Sequence, residues 1–470
     1  MRHNIIITLF FFQLLNVAGQ NSSITYNLQE CIDIALKNNL DFKSAQLQTQ
    51  SADVNFKQSK NALLPTLNGN YSIGQTSGRS IDPFTNSYIN EKLTFSNAGL
   101  RLGATVFNGF NLINQLRQQK LNLLASEMES EDQRYNLILN VTLAYLQVMN
   151  TKDLYTLAQN RLKSTNEQLE RLKSMFDENM GNPAEYRDFQ GLKSNDDANL
   201  INSRNNFEDS KLSLMELLNI DIYIDIAAID VPISFSAYEE TFENVYVQAL
   251  QNMAIVKAGE YRLEASKKGV SVAKSGYAPE VSLFANLNTN YSSAARIFND
   301  NGSSVVDTGD FVIIGAQDYP VNTEQTNFIA EKIAYQEQFE NNFNSSAGVA
   351  VNIPLFNGFD TKNKVALEKI KREEATIDLE RIKLRLRSAI EKTYKDMISA
   401  FERYEVLQKQ SDAYQESLRI NEIRFTNGVD NSVSYIISKN NLENARVNLN
   451  NAKYDYVLRI KLLEYFKGSI

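Results

Sequence analysis

The sequence has little of the side-chain chemistry on which most enzymes depend. It contains no tryptophan, one cysteine and one histidine. The histidine, His3, lies in an N-terminal stretch with the layout of a secretory signal peptide, so the mature chain is expected to have none. The single cysteine, Cys31, allows no internal disulfide and no cysteine-based zinc site. These absences exclude triad hydrolysis and metal sites ligated by His or Cys.

Two further classes of function are excluded by what is scarce. The sequence has no glycine-rich phosphate-binding loop. Its net charge is −8, and nucleic-acid binding requires basic patches. The acidic residues are scattered along predicted helix faces, where most are expected to be solvated. We therefore predict that the chain is not an enzyme, holds no cofactor or metal, and binds no nucleic acid.

The first twenty residues predict export from the cytoplasm. Arg2 precedes an apolar run at residues 5–15, and the small residues Ala18 and Gly19 follow. This is the pattern of a signal peptide at 1–20, although a short buried helix is the alternative. No later run of eighteen apolar residues occurs, so no transmembrane helix is predicted.

Several short motifs occur twice in the chain. The tetrapeptide FNGF stands at residues 107–110 and again at 356–359, which is 249 residues later. Earlier, ALKNN at 35–39 matches ALQNM at 249–253, with an offset of 214 residues. The difference places about 35 extra residues in the second copy, before its FNGF motif. Recurrence at a fixed offset predicts two internal repeats.

Each predicted repeat has the same order of elements. In the first repeat, 21–219, these are a helix at 28–63, a β-hairpin at about 66–107, a long helix at 111–177 and a return helix at 183–219. In the second, 241–470, they are a helix at 242–276, a β-hairpin at about 280–356, a long helix at 360–426 and a return helix at 432–466. Residues 220–240 are predicted to be a linker at mid-height of the helices. The second hairpin has a longer connection, 292–342, whose Gly/Ser-rich start predicts an exposed loop.

The hairpin sequences alternate between apolar and polar residues. The first strand has one apolar or small face, made of Leu67, Gly69, Tyr71 and Ile73. The return strand of the second hairpin alternates from Ala347 to Leu355. A period of two with one polar face is typical of a strand between lipid and water, or of a half-buried strand in a soluble protein. In lipid, the four strands of one chain need partners, because open edges leave backbone groups unsatisfied. Two chains would give eight strands and three chains twelve, and twelve leave a water-filled lumen.

The two long helices are predicted from the absence of proline. Each proline-free run has about 67 residues, or roughly 100 Å of helix. A heptad stripe in the first of them predicts coiled-coil packing. Its members are Tyr155, Ala158, Leu162, Thr165, Leu169, Leu172 and Phe176.

The FNGF motif is interpreted as a junction between a membrane strand and a water-side helix. Aromatic residues cluster at membrane interfaces, and Asn-Gly allows a turn with positive φ. The predicted junction residues are Phe107, Gly109, Phe356 and Gly358. The residues that follow, Asn111 and Asp360, are predicted to cap the long helices.

The motifs, taken together and in order, resemble the TolC family of outer-membrane efflux ducts. The resemblance covers the mature chain and rests on LQECIDIALKNN, PLFNGF and RFTNGVDNSVSY. It implies an α+β membrane protein that forms a homotrimer. The trimer is expected to have a twelve-stranded β-barrel, with four strands per chain, continued by a long α-helical coiled-coil periplasmic tunnel.

The resemblance also implies a function and a set of partners. The chain is expected to be a passive channel of a tripartite efflux or type I secretion system, located in the outer membrane with a large periplasmic part. Its expected partners are outer-membrane lipid, a periplasmic adaptor and an inner-membrane transporter of the RND, ABC or MFS class. The alternatives are that it is itself a periplasmic adaptor, or a structural coiled-coil surface protein. An adaptor normally has one hairpin and additional β domains, which this sequence lacks.

The turns between long and return helices are the candidate docking sites for an adaptor. The residues concerned are Asn179, Gly181, Pro183, Gly428 and Asp430. The first turn departs from the family pattern, since Asn179 stands where the second has Gly428. Asparagine tolerates the left-handed conformation, so the turn is expected to survive. The alternative is that both are ordinary helical-hairpin turns.

The candidate gate residues are Glu185, Asp188, Ser434 and Ile437. TolC-like ducts often have aspartates three residues apart on the second return helix, where this chain has Ser434 and Ile437. The residues 249 positions earlier, Glu185 and Asp188, share one helix face. We hypothesise that they form an acidic ring of six carboxylates, paired with cations or with Arg187 or Arg424. The alternative is a solvated first helical turn, where the helix dipole favours acids.

Overall fold

The protein folds into two compact units, each assembled from distant segments of the chain. A computed structural model describes residues 25–81, 86–90, 92–178, 180–221, 225–226 and 238–468. The helical unit comprises Met1–Gln50, Leu124–Glu260 and Ile377–Ile470, and the strand unit comprises Ser51–Leu123 and Tyr261–Thr376. The predicted signal peptide, 1–20, and most of the predicted linker, 220–240, lie outside the described residues.

Helices and strands are numbered separately in chain order. The helices are α1 (Leu28–Asn38), α2 (Leu40–Asn61), α3 (Asn111–Asp177), α4 (Pro183–Leu218), α5 (Phe242–Asn252), α6 (Ala254–Lys274), α7 (Tyr335–Asn341), α8 (Asp360–Thr426) and α9 (Ser432–Lys467). The strands are β1 (Thr25–Tyr26), β2 (Thr66–Thr76), β3 (Arg79–Ile81), β4 (Tyr88–Asn90), β5 (Leu93–Asn108), β6 (Asp225–Ile226), β7 (Glu280–Ser292), β8 (Arg296–Ile314), β9 (Gln317–Lys332) and β10 (Asn344–Asn352).

The helical unit is built around apolar side chains from the long and return helices. One cluster joins α1, α3, α4 and α9 around Tyr145 and Leu214. A second joins α3, α5, α8 and α9 around Ile390 and Leu463. Cys31 is fully buried in the first cluster. None of the described helices combines the length and the apolar character needed to cross a membrane.

The prediction of one continuous helix before each β-hairpin is wrong. In the first copy the helix is interrupted at Asn39, whose backbone is extended with φ −58° and ψ 130°. The Asn39 side chain accepts a hydrogen bond from the Phe42 N–H at 3.1 Å and donates to the Leu217 carbonyl at 3.2 Å. The Asn39 side chain therefore replaces helical hydrogen bonds of the backbone with its own, which ends one helix and starts the next. A matching break at Met253 has no comparable side-chain signal in the sequence.

The strand unit contains a four-stranded antiparallel sheet in the order β10-β7-β5-β2. Its register places one apolar row across all four strands, formed by Leu67, Leu102, Ala285 and Ala347. Leu67 and Leu102 are exposed, so the described residues of the chain do not cover this part of the face. Strand β10 ends at Asn352, so the expectation that Ile353 and Leu355 continue it is wrong. Pro354 explains the end, because proline has no N–H for the sheet.

The long connection in the second hairpin is not the irregular loop that its composition predicts. Residues 292–342 contain the antiparallel pair β8–β9 and the short helix α7. The register of the pair shifts between Asp300 and Ser303 and again between Asp307 and Phe311. Gly302 and Gly309, each with φ of 77°, lie at these two irregularities. The glycines therefore accommodate bulges in a ribbon rather than mark a loop.

Candidate functional site

Both FNGF turns have the same backbone conformation. Gly109 and Phe110 have φ of 66° and 62°, and Gly358 and Phe359 have φ of 61° and 65°. Glycine adopts this conformation readily, whereas phenylalanine does so at an energetic cost. The positive φ of the glycines follows the prediction, but that of the second phenylalanine was missed.

An aromatic contact accompanies each strained phenylalanine. Phe107 and Phe110 pack edge to face with ring centroids 5.4 Å apart, and Phe356 and Phe359 do so at 5.6 Å. Edge-to-face pairs add attraction beyond their buried area, which offsets the backbone cost. The repeated F-x-x-F spacing was the sequence signal for this contact.

The predicted caps of the long helices are wrong. The N–H of Leu112 donates to the side chain of Asn108, at 3.3 Å, so the cap comes from inside the FNGF motif. Asn111 instead donates to the Ser275 hydroxyl, at 2.7 Å. Asp360 is the first helical residue of α8 and acts there as an acid in the first turn.

The two junction glycines differ in their surroundings. A Cβ atom on Gly109 would lie 2.5 Å from the Cβ of Ala278 and 2.8 Å from the carbonyl oxygen of Ser275. A Cβ atom on Gly358 would have no heavy atom within 4 Å. Close packing around the first turn therefore requires glycine, and the second turn requires it only for its φ.

Each turn between a long helix and a return helix ends in an asparagine cap. Asn182 accepts the N–H of Ala184 at 3.0 Å, and Pro183 occupies the first helical position of α4. Asn431 accepts the N–H of Ser434 at 3.1 Å at the start of α9. Proline suits the first turn of a helix because an N–H group at that position would have no partner within the helix, so its absence costs nothing. Asn179 lies outside the described residues.

The other candidate docking residues lie next to these caps. Gly428 has φ of 69°, the conformation predicted for it. Gly181 is close to the Met175 backbone, where an added Cβ would lie 3.1 Å away. Asp430 lies 3.6 Å from the guanidinium of Arg424. Hydrogen bonds from the Asn431 N–H and from Ser434, together with Arg424, lower the pKa of Asp430. The second turn therefore presents an ionised carboxylate.

An aromatic cluster holds the helices together beside the turns. Phe189 of α4, Phe425 of α8 and Tyr435 of α9 stack with centroids 5.4–5.8 Å apart. Phe176 and Tyr186 form another stacked pair at 5.1 Å. Each member of the pair Phe425–Tyr435 lies 249 positions after its counterpart in Phe176–Tyr186. These stacked aromatic rings therefore pack the helices together beside the two turns.

The structure places the four predicted gate residues near the starts of α4 and α9. The Ser432 hydroxyl donates to Asp188 at 3.1 Å, which joins the starts of α4 and α9. Glu185 and Ser434 are half-buried, whereas Ile437 is exposed.

Within the chain, the two arginines proposed as partners of the gate acids contact other residues. Arg187 donates to Gln190 at 2.8 Å, and Arg424 pairs with Asp430 as described above. Their predicted pairing with Glu185 and Asp188 stays a prediction.

A buried charge network, which the sequence analysis missed, joins α3, α4 and α9. It consists of Arg161, Thr165, Asp196 and Lys439. The Asp196 carboxylate has no exposed surface and accepts from Arg161 and from the Thr165 hydroxyl, each at 2.5 Å. Lys439 donates to Thr165 at 2.7 Å. The one signal for this network was Thr165, a polar residue in the heptad stripe.

The network draws on both halves of the chain and has no equivalent at the positions related to it by the 249-residue offset. The residues 249 positions away from its members are Gln410, Tyr414, Ala445 and Gln190, none of which is charged at neutral pH. Burial lowers the pKa of Lys439 to about 8, although the nearby Asp196 partly opposes this shift. The pKa of Lys439 therefore lies much closer to neutral pH than that of an ordinary lysine.

The fold and these sites can now be compared with known proteins. The family model described as outer membrane efflux protein matches residues 31–219 and 245–463. The chain belongs to this family. It is similar to the outer membrane protein TolC of Vibrio cholerae, with 22% identity over 448 residues covering 94% of this chain and 91% of that protein. Family membership places the protein in the outer membrane as an efflux channel of the TolC type.

Solved structures share the fold. A structure of CusC, described in connection with transmembrane channel formation, has a TM-score of 0.75 at 14% identity and covers 95% of this chain and 93% of its own. The CmeC outer membrane channel of Campylobacter jejuni has a TM-score of 0.71 at 18% identity and covers 100% of this chain and 94% of its own. The relatives of this family member are channel proteins rather than enzymes.

Proposed function

We propose that three copies of the chain form a passive outer-membrane duct for a tripartite efflux or type I secretion system. The observation that carries this proposal is the four-stranded sheet, which has a continuous apolar face and ends in two free edges, β2 and β10. Free edges in lipid must be paired, and pairing β2 of one copy with β10 of the next closes a barrel. Three copies give twelve strands and a water-filled lumen, continued by a coiled-coil tunnel.

The proposed organisation consists of two repeats, 21–219 and 241–470, joined by the linker 220–240 and preceded by a signal peptide. It is supported by the two FNGF turns with matching φ values and by the two stacked pairs Phe176–Tyr186 and Phe425–Tyr435. Both correspondences have the same offset of 249 residues. A duct with such repeats would present pseudo-sixfold surroundings to its cargo in the tunnel.

The proposed partners are a periplasmic adaptor and an inner-membrane pump of the RND, ABC or MFS class. The adaptor would bind the turns at 178–183 and 426–431. Gly181, Pro183, Gly428 and Asp430 are supported as contact residues by their position at capped helix starts, and Asn179 is assigned with them from the sequence. A passive duct contacts its cargo weakly, so the pump and adaptor would determine most of the selectivity.

Planar-bilayer recording tests the proposed duct. Protein purified from outer membranes in detergent should migrate as a trimer and insert with a uniform, voltage-tolerant conductance. The same sample dissociated by heat should give no conductance, because four strands alone leave open edges. Recovery as a water-soluble monomer without channel activity would overturn the proposal.

The acidic-gate hypothesis is tested by neutralising two carboxylates. Glu185→Gln combined with Asp188→Asn should reduce cation selectivity and weaken block by multivalent cations, because a ring of six carboxylates would be lost. Glu391→Gln is a matched control, since Glu391 is an exposed acid paired with Lys395 on α8. Unchanged selectivity and block in the double variant would show that these carboxylates do not line the constriction.

Adaptor docking is tested at Gly428. Gly428→Val should reduce export, because valine is strained at a φ of 69° and the turn must change shape. The trimer should still assemble, as checked by its mobility on gels. Gly191→Ala provides the control, since a Cβ there meets nothing within 4 Å. Resistance to exported toxic compounds reports export, and full resistance in Gly428→Val would count against docking at this turn.

A further inference from the structure

The two-stranded ribbon formed by β8 and β9, Arg296–Lys332, has no role in the proposed duct. Its strands pair with each other from Arg296↔Lys332 to Ile314↔Gln317. Nearly every side chain of both strands is exposed. A two-stranded hairpin is marginally stable in water, and each strand of this one has an unpaired edge. The ribbon therefore has the form of an element that is completed by something outside the chain.

The shaft of the ribbon carries charge of one sign. Between Arg296 and Lys332 it has six carboxylates and no basic residue. The six are Asp300, Asp307, Asp310, Asp318, Glu324 and Glu331. Like charges oppose pairing of the ribbon with further copies of itself and with an anionic lipid surface. They favour a partner that presents basic side chains.

The tip of the ribbon is apolar on both faces. Phe311, Val312, Ile313 and Ile314 are consecutive, and between 50% and 65% of each is exposed. Successive strand residues point to opposite faces, so no single flat surface covers all four. Burial of such a tip requires a recess that encloses it from two sides. Tyr319, across from Val312, extends the apolar surface on the second strand.

We propose that this ribbon is a docking element for a cationic protein partner with an apolar recess. Basic side chains around the recess bind the carboxylates of the shaft, and the recess encloses Phe311–Ile314. The two contributions differ in character. The charges raise the association rate and orient the partner, and the buried apolar tip supplies the binding energy that a stable complex needs.

The test uses full-length protein in neutral detergent and a fluorescent peptide of alternating lysine and leucine as a cationic, apolar probe. Fluorescence anisotropy measures its affinity. A charge variant, Asp307→Asn with Asp310→Asn and Asp318→Asn, should bind about tenfold more weakly, because three exposed ion pairs are lost. A tip variant, Phe311→Ser with Ile313→Ser, should bind several-fold more weakly even at high salt.

The control variant removes the same number of exposed carboxylates from α8, as Asp378→Asn, Glu391→Gln and Glu416→Gln. It should bind the peptide within about twofold of the parent, because those acids pair with neighbouring bases in the helix. Circular dichroism should show that all variants keep the parent fold.

Three results would overturn the docking proposal. One is equal loss in the control and charge variants, which would mean general attraction to an acidic protein. Another is an unaffected tip variant. The third is tip-dependent binding to phospholipid vesicles, or tip-dependent association of trimers, in place of peptide binding. Each leaves the channel conductance intact, so failure here is distinct from failure of the proposed duct.

Discussion

Asp196→Asn is expected to destabilise the helical unit by about 3–5 kcal/mol. The substitution preserves the shape of the side chain but removes the only acid hydrogen-bonded within the buried network, leaving Arg161 and Lys439 next to each other. Removing one partner of a buried ion pair is far more costly than removing one partner of a surface pair. The apparent melting temperature, followed by circular dichroism of the helices in detergent, should fall by several degrees.

The next residue provides the control. Asp197 pairs with Lys193 at 2.6 Å, and both side chains are about 40% exposed. Asp197→Asn should change stability by less than about 1 kcal/mol. If the two variants melt together, the network around Asp196 contributes no more than a surface pair.

Lys439→Met tests how the Lys439 cation affects the pH dependence of stability. The folded protein releases the Lys439 proton near pH 8, whereas the unfolded chain holds it to about pH 10.5. The unfolded chain binds more protons in that interval, so the contribution of Lys439 to stability rises with pH between these values. The methionine variant should lack this rise.

Gly109→Ala is expected to destabilise the strand unit by about 2–5 kcal/mol. The new methyl group would overlap Ala278 and the Ser275 carbonyl, and alanine is disfavoured at a φ of 66°. Overpacking costs about 1–3 kcal/mol and the left-handed conformation about 1–2 kcal/mol. The temperature at which the proposed trimer dissociates on gels should fall, and less protein should reach the outer membrane.

Gly358→Ala is the matched control because it occupies the same place in the second FNGF turn. Its φ of 61° carries the same backbone cost, but no atom lies within 4 Å of the new methyl group. The expected loss is about 1–2 kcal/mol. Similar dissociation temperatures for the two variants would show that crowding at Ala278 does not decide the outcome.

The helices and strands of this fold follow from local sequence patterns. The absence of proline predicts helices at 111–177 and 360–426, and the structure has α3 and α8 at those positions. Period-two alternation predicts strands that the structure places in β2, β5, β7 and β10. Glycine occurs both in loops and at bulges of paired strands, and composition alone does not distinguish the two. Gly302 and Gly309 were interpreted as loop residues, yet they lie at the bulges of a paired ribbon.

The candidate sites depended more on tertiary packing and were predicted less well. Turn glycines such as Gly428 follow from backbone preference and were assigned correctly in conformation. The buried network joins Arg161 to Lys439, which are far apart in the sequence and come together only when α3, α4 and α9 pack. Ion pairing between such helices leaves no local signal except Thr165. The same applies to the break at Met253, where packing decides the backbone.

The buried network takes Arg161 and Asp196 from the first half of the chain and Lys439 from the second, so the two halves are not interchangeable. A synthetic tandem of two first halves would contain Arg161 and Asp196 twice, but Gln190 would stand in both places where Lys439 is needed. A tandem of two second halves would contain Lys439 twice and no Asp196, because Ala445 takes that place. With respect to this network, the two halves are therefore complementary rather than equivalent parts of one chain.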